Sequence, residues 1–233
     1  MQILKMIKGL LEKLRGKSDS IIEKSEGMRG EYCIYIDAGH GSDTPGKRSP
    51  KWEDGRQLFE WEFNREIAYS IMWYLVEHYP DVDFKSTFYS IIDNTLESRV
   101  EIANNDYNEF DESLFLSIHA NAGGGTGWEV YTSRGETKSD DYASIFMEET
   151  QKQFPHMRFR RDYTDGDPDK EANFYVLKNT HMPAVLTENF FMDTLDPDCE
   201  ILMSKEGKEK IVKAHCEALD RIIKTWEDER KEN

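Results

Sequence analysis

The chain has 233 residues, enough for one domain with a sizeable core. It is 38% hydrophobic and 33% charged, with a formal net charge of −16, which excludes a general nucleic-acid binder because phosphate neutralisation needs an excess of Lys and Arg. No run approaches the roughly 18 consecutive apolar residues of a transmembrane helix, and Cys33, Cys199 and Cys216 form no CxxC pair, so reduced thiols are expected.

Residues 1–17 stand apart. Ile3, Leu4, Ile7, Leu10, Leu11 and Leu14 recur at helical spacing, with Lys5, Lys8, Glu12 and Arg15 on the other face. This piece carries five basic residues and one acidic, net +4, whereas the rest carries 25 basic and 45 acidic, net −20. A basic amphipathic helix can lie on an anionic membrane surface; the commoner use of such a stripe is packing on protein, here the chain's own acidic body or a neighbour's. Lys5 and Lys8 interrupt any apolar signal core, so synthesis in the cytoplasm without a signal peptide is expected. Residues 18–30 read as a linker, residues 31–226 as one domain, and residues 227–233 as a charged tail that frays.

From Glu31 strands and helices alternate. Tyr32-Cys-Ile-Tyr-Ile is rich in β-branched and aromatic residues and predicts a buried strand, which breaks into Asp37-Ala-Gly-His-Gly41. A loop rich in Gly and Pro covers residues 42–50. A helix follows from about Phe59 to Tyr79, a strand over Val82 to Thr87 and a helix within Ser90 to Asn105. The strand Leu114 to Ile118 repeats the first pattern, closing on His119-Ala-Asn-Ala122 and then Gly123-Gly-Gly125. Trp128 to Thr132 predicts a strand, Asp140 to Phe154 a helix and Arg158 to Lys170 a loop. Phe174 to Leu177 comes next, then a last strand, Pro183 to Glu188, and a closing helix, Lys205 to Trp226. This order predicts an α/β fold, a mostly parallel twisted sheet with helices on both faces.

In such sheets ligands bind beyond the carboxyl ends of the strands. His40 and His119 each close a hydrophobic strand there and precede small residues, which suggests a metal between them. His78, His156, His181 and His215 lack that context and read as ordinary surface or core histidines. A catalytic zinc needs three protein ligands and an open position. Glu60, at the start of the first helix, can return to the same rim; Glu62 and Glu66 are rivals, although Glu62 lies about 200° from Glu60 around a regular helix. Glu188 ends the last strand, where it can take a proton from a zinc-activated water and return it to a leaving nitrogen, or merely cap the next turn.

Six segments in order, Asp37-Ala-Gly-His-Gly41, Glu60-Trp-Glu-Phe-Asn64, Arg99-Val-Glu-Ile-Ala-Asn104, Ser117-Ile-His-Ala-Asn121, Phe174-Tyr-Val-Leu177 and Pro183-Ala-Val-Leu-Thr-Glu188-Asn-Phe, resemble the zinc-dependent N-acetylmuramoyl-L-alanine amidases of the Amidase_3 type. The likeness runs from about Tyr32 to Ile223. It implies one zinc per chain held by His40, Glu60 and His119, with Glu188 as the catalytic glutamate. The family's ligand stands four residues before the Asn of its helix motif, which selects Glu60 over Glu62. The implied reaction is hydrolysis of the amide between the lactyl group of N-acetylmuramic acid and L-alanine in peptidoglycan. The rival readings are a zinc peptidase acting within the stem peptide and a non-catalytic wall-binding relative. Ser42 and Asn189 stand where the family usually has glycine. Without a signal or a wall-binding repeat, the chain resembles a phage or prophage endolysin that acts on the cell wall after release by another factor. Arg99 and Asn121 are both placed to touch substrate; Arg99 reads rather as a structural salt bridge, and Asn121 remains open.

Overall fold

The computed structural model describes residues 31–232, so the expected amphipathic helix over residues 1–17 and the linker over residues 18–30 lie outside the described residues. Strand β1, Tyr32–Ala38, is buried along its whole length. Its successive side chains enter two different cores: Ile34 and Ile36 on one face, Cys33 and Tyr35 on the other. This explains why the segment reads as a continuous apolar run, as a strand covered on both faces does.

Helix α1, Glu60–His78, turns Phe63, Ile67, Ile71 and Leu75 onto the first face. Strand β2, Val82–Ser86, and helix α2, Leu96–Asn104, follow; Thr95 caps α2 by accepting from the Ser98 amide at 3.2 Å. The remaining main elements are β3 (Glu112–Asn121), β4 (Glu129–Thr132), α3 (Lys138–Gln153), β5 (Lys170–Glu171), α4 (Tyr175–Asn179), β6 (Ala184–Phe191) and α5 (Lys205–Glu232). Helices α1, α3 and α5 cover one face of the sheet; α2 and α4 cover the other through Val100, Ala103, Val176 and Leu177.

The six strands lie in the order β2-β1-β3-β6-β4-β5. Strands β2, β1, β3 and β6 are parallel, β4 runs antiparallel to β6, and β5 is parallel to β4. The sheet is thus mixed, but mostly parallel as expected. The chain passes from β1 to β2 on one side and then to β3 on the other. The carboxyl ends of β1 and β3 therefore flank a topological switch point.

One segment differs from expectation: α5 continues through the tail to Glu232, where Arg230 pairs with Glu31 and ties the helix to the start of β1. Phe174–Leu177, to which the sequence assigned no element, leads into the short helix α4. All three cysteines are free and buried, as their spacing suggested. Among the described residues no helix is long and apolar enough to cross a membrane.

Candidate metal and catalytic site

The two glycines around His40 are required by close approach. A Cβ on Gly39 would stand 2.0 Å from Cε1 of His119, and one on Gly41 would stand 2.1 Å from the Asp93 amide nitrogen. His40 itself adopts a left-handed backbone (φ 65°), unusual for a residue with a side chain. Arg65 holds that turn by donating to the His40 carbonyl at 2.9 Å, while Asn64 donates to the Gly39 carbonyl at 3.0 Å.

Glu60 is the first residue of α1 and only 1% exposed. Its Oε1 lies 3.1 Å from His119 Nδ1 and 3.4 Å from His40 Nε2, and the two rings meet edge to face with centroids 5.0 Å apart. His40, Glu60 and His119 each offer a ligand atom, and these atoms lie within 4.8 Å of one another. The rival carboxylates stand elsewhere: Glu62 is exposed and Glu66 pairs with Lys208 at 2.8 Å. Two imidazole nitrogens and one carboxylate suit a catalytic zinc. The fit is supported by Glu60 Oε2, which is buried without a hydrogen bond and has Lys47 Nζ only as close as 3.8 Å.

Glu188 is directly opposite His119 in the β3–β6 register, so both side chains face the same side of the sheet. Burial pushes its pKa up to about 7, and the nearby Glu60 carboxylate pushes the same way against the pull of His119; its Oε2 has no hydrogen-bond partner among the described residues. Burial would raise Glu60 too, but the hydrogen bond and charge of His119 hold it below the usual carboxylate range. Burial drives His40 down to about 4. Burial alone would also lower His119, but Glu60 and Glu188 outweigh it and raise that imidazole. A cleft of about 300 Å³ opens over the two histidines, walled by Asp93, Asn94, Thr95 and Leu96. A groove of about 700 Å³ lies at the opposite end of the sheet, beside Tyr32 and Val82, away from this cluster.

Arg99 is 2% exposed and bonds Asp37, the Ala38 carbonyl at 2.9 Å and Asp93 at 2.7 Å. It is the internal salt bridge that its distance along the chain suggested. Asn121 donates to Glu129 at 2.7 Å, and Glu129 also receives Arg160 at 2.8 Å, Tyr131 at 3.0 Å and Lys170. The sequence reading missed Glu129. It is 2% exposed and faces Glu188 across the β4–β6 pair, and the available signal was a carboxylate inside an otherwise apolar strand. Asn189, the departure from glycine, has a clear role: its amide donates to the His119 carbonyl at 3.1 Å and accepts from Trp128 Nε1 at 3.0 Å. The other histidines stay outside the cluster; His215 is fully buried, with Nδ1 2.8 Å from the Ile211 carbonyl and Nε2 3.0 Å from the Thr187 hydroxyl.

Residues 34–221 match the Amidase_3 family, described as N-acetylmuramoyl-L-alanine amidase. The sporulation-specific N-acetylmuramoyl-L-alanine amidase of Bacillus subtilis (strain 168) is 33% identical over 192 residues, which cover 82% of this chain and 68% of that protein. The endolysin of Bacillus phage SPP1 is 31% identical over 199 residues, 82% of this chain and 65% of the endolysin. The crystal structure of N-acetylmuramoyl-L-alanine amidase from Clostridium difficile 630 superposes with a TM-score of 0.70 over 84% of this chain and 98% of that one; at 22% identity this likeness shows the fold.

Proposed function

Because the chain belongs to the Amidase_3 family of N-acetylmuramoyl-L-alanine amidases, we propose that it hydrolyses the peptidoglycan amide between N-acetylmuramic acid and L-alanine. His40, Glu60 and His119 would hold one zinc ion, with Glu188 as the general base. The observation that carries this reading is the convergence of two imidazoles and a buried carboxylate beside a second carboxylate kept free of hydrogen-bond donors. A zinc ion held there would polarise the scissile carbonyl and lower the pKa of water toward about 7.

The chain's own residues do the rest. Glu188, with its pKa raised toward neutrality by burial, accepts the proton of the attacking water and delivers it to the departing amide nitrogen. Glu60, braced by the Ala120 amide at 3.3 Å and Asn64 at 3.5 Å, keeps its carboxylate turned toward both imidazoles. The walls around Asp93 and Leu96 receive the muramyl peptide. The enzyme acts at the cell wall. Its relatives include a sporulation amidase and a phage endolysin, so the endolysin role is the proposal with the more specific test: release from a host by a separate membrane-disrupting factor.

Mass spectrometry of digested peptidoglycan, run with metal analysis before and after chelation, tests the reaction. Intact stem peptides freed from glycan, with about one zinc per chain, support it. Trimmed stems would assign the same centre to a stem-peptide peptidase instead. For residues 1–17, binding of the full chain to anionic vesicles, set against a chain lacking them, separates a membrane-surface helix from one that packs on the enzyme.

A further inference from the structure

A second group of oxygen ligands lies away from the zinc cluster. Asp140, near the start of α3, and Asp167 and Asp169, in the loop before β5, each offer an oxygen, and these oxygens lie within 4.8 Å of one another. Asp169 is 2% exposed; one of its oxygens accepts from the Thr132 hydroxyl at 2.7 Å, and the other, Oδ1, has no hydrogen-bond partner. Asp167 Oδ1 is likewise buried and unpartnered, and Asp140 accepts at Oδ2 from the Thr137 amide at 2.5 Å. Among the described residues no Lys or Arg pairs with any of the three. Three carboxylates this close repel one another unless a cation or a shared proton joins them.

We propose that Asp140, Asp167 and Asp169, with the Thr132 hydroxyl beside them, form a binding site for a hard divalent cation, calcium in particular. The donor set is all oxygen, without imidazole or thiolate, which disfavours zinc and suits calcium. Two of the three ligands sit on the acidic stretch Asp165-Gly-Asp167-Pro-Asp169, in a loop whose adaptable geometry calcium tolerates better than magnesium does. The site joins three elements: the end of β4 at Thr132, the first turn of α3 at Asp140, and the loop that leads into β5. The next residue, Lys170, reaches Glu129, which lies opposite Glu188. The cation would therefore brace the strand that lies beside Glu188 without touching the reacting atoms.

Calcium chloride is titrated into the zinc-loaded protein by calorimetry, with zinc content measured before and after. The expected result is one calcium per chain with a dissociation constant on the order of 10⁻⁴ M or tighter, and unchanged zinc. Asp169→Asn and Asp167→Asn each weaken calcium binding by about tenfold or more, since each removes a charged ligand. In melting experiments calcium raises the midpoint of the parent and raises that of Asp169→Asn by less at the same concentration, while in calcium-free buffer the variant is at least as stable as the parent because repulsion is relieved. Absence of calcium uptake by the parent overturns the proposal. So does unchanged affinity in both variants, and so does a melting midpoint indifferent to calcium, the behaviour of carboxyls joined by a shared proton.

Discussion

Gly39 has no room for a side chain, and this links backbone geometry directly to chemistry. A single methyl group there would meet the His119 ring at 2.0 Å, so Gly39→Ala must displace either the imidazole or the turn that carries His40. The expected outcome is a folded protein that has lost most of its zinc and its activity, read by metal analysis beside circular dichroism; full zinc content in that variant would show that the ring can yield. Glu188 tests the other half of the site. Replacing it by Gln keeps size and most of the polarity but removes the proposed base, so kcat should fall by about 10²–10⁴ with zinc retained. The pH profile carries the sign. Burial raises the Glu188 carboxyl to about 7, and a neighbouring divalent cation pulls it back down, so kcat/KM of the parent falls on the acid side of neutrality, as the base becomes protonated. In Glu188→Gln the residual activity loses that acid limb.

At the scale of elements, the Asp37–Arg99 pair fixes the end of β1 to α2 and so sets the turn that presents His40. Burial alone would push the Asp37 carboxyl up; Arg99 and hydroxyls from Ser117 and Thr87 outweigh it and hold it below the usual range. Arg99→Ala leaves this carboxylate buried with its two hydroxyl donors but without its counter-charge, at a cost of about 3–5 kcal/mol, measured by urea unfolding at neutral pH. The depressed pKa also gives the direction of the acid response. The stabilisation is complete above the unfolded pKa of about 4 and is lost as pH falls through the folded value, so the parent and Arg99→Ala curves converge in acid. The histidine turns were legible because the information is local: a hydrophobic strand followed by glycines places each imidazole at a strand's end whatever else the chain does. Glu129 was not legible. Its importance arises from β4 running antiparallel beside β6, which puts a carboxylate at the start of one strand opposite Glu188 in the middle of another. The lone carboxylate in Trp128–Thr132 marks a position of interest, but its pairing with Glu188 follows from packing across the sheet and is not encoded within that segment. The extent of α5 was hidden for the same reason. Its polar last turns look fit only to fray, yet they are tied by Arg230 to Glu31, some 200 residues earlier in the sequence.

Across the whole molecule, the proposed zinc ligands come from three elements that the sheet order brings together: the turn after β1, the start of α1 and the end of β3. A cation bound by all three links the long loop over residues 42–59, whose backbone reaches Glu60 through the Lys47 carbonyl at 3.1 Å, to the central strands. The unfolded chain offers no such converged set, so binding free energy becomes folding free energy. At a free zinc concentration a thousand times the dissociation constant this amounts to about 4 kcal/mol. For a domain of this size each kcal/mol moves the melting temperature by about 2–4 °C. Chelation should therefore lower the midpoint by roughly 10 °C, and added zinc should restore it. Glu60→Ala should abolish the difference between chelated and zinc-loaded samples while leaving a cooperative transition, because the two hydrophobic cores on either side of the sheet do not depend on the ion. A midpoint that ignores chelation in the parent would mean that the three side chains are held by protein contacts alone. The ion would then contribute nothing to the fold, and its role would be confined to the chemistry at the rim.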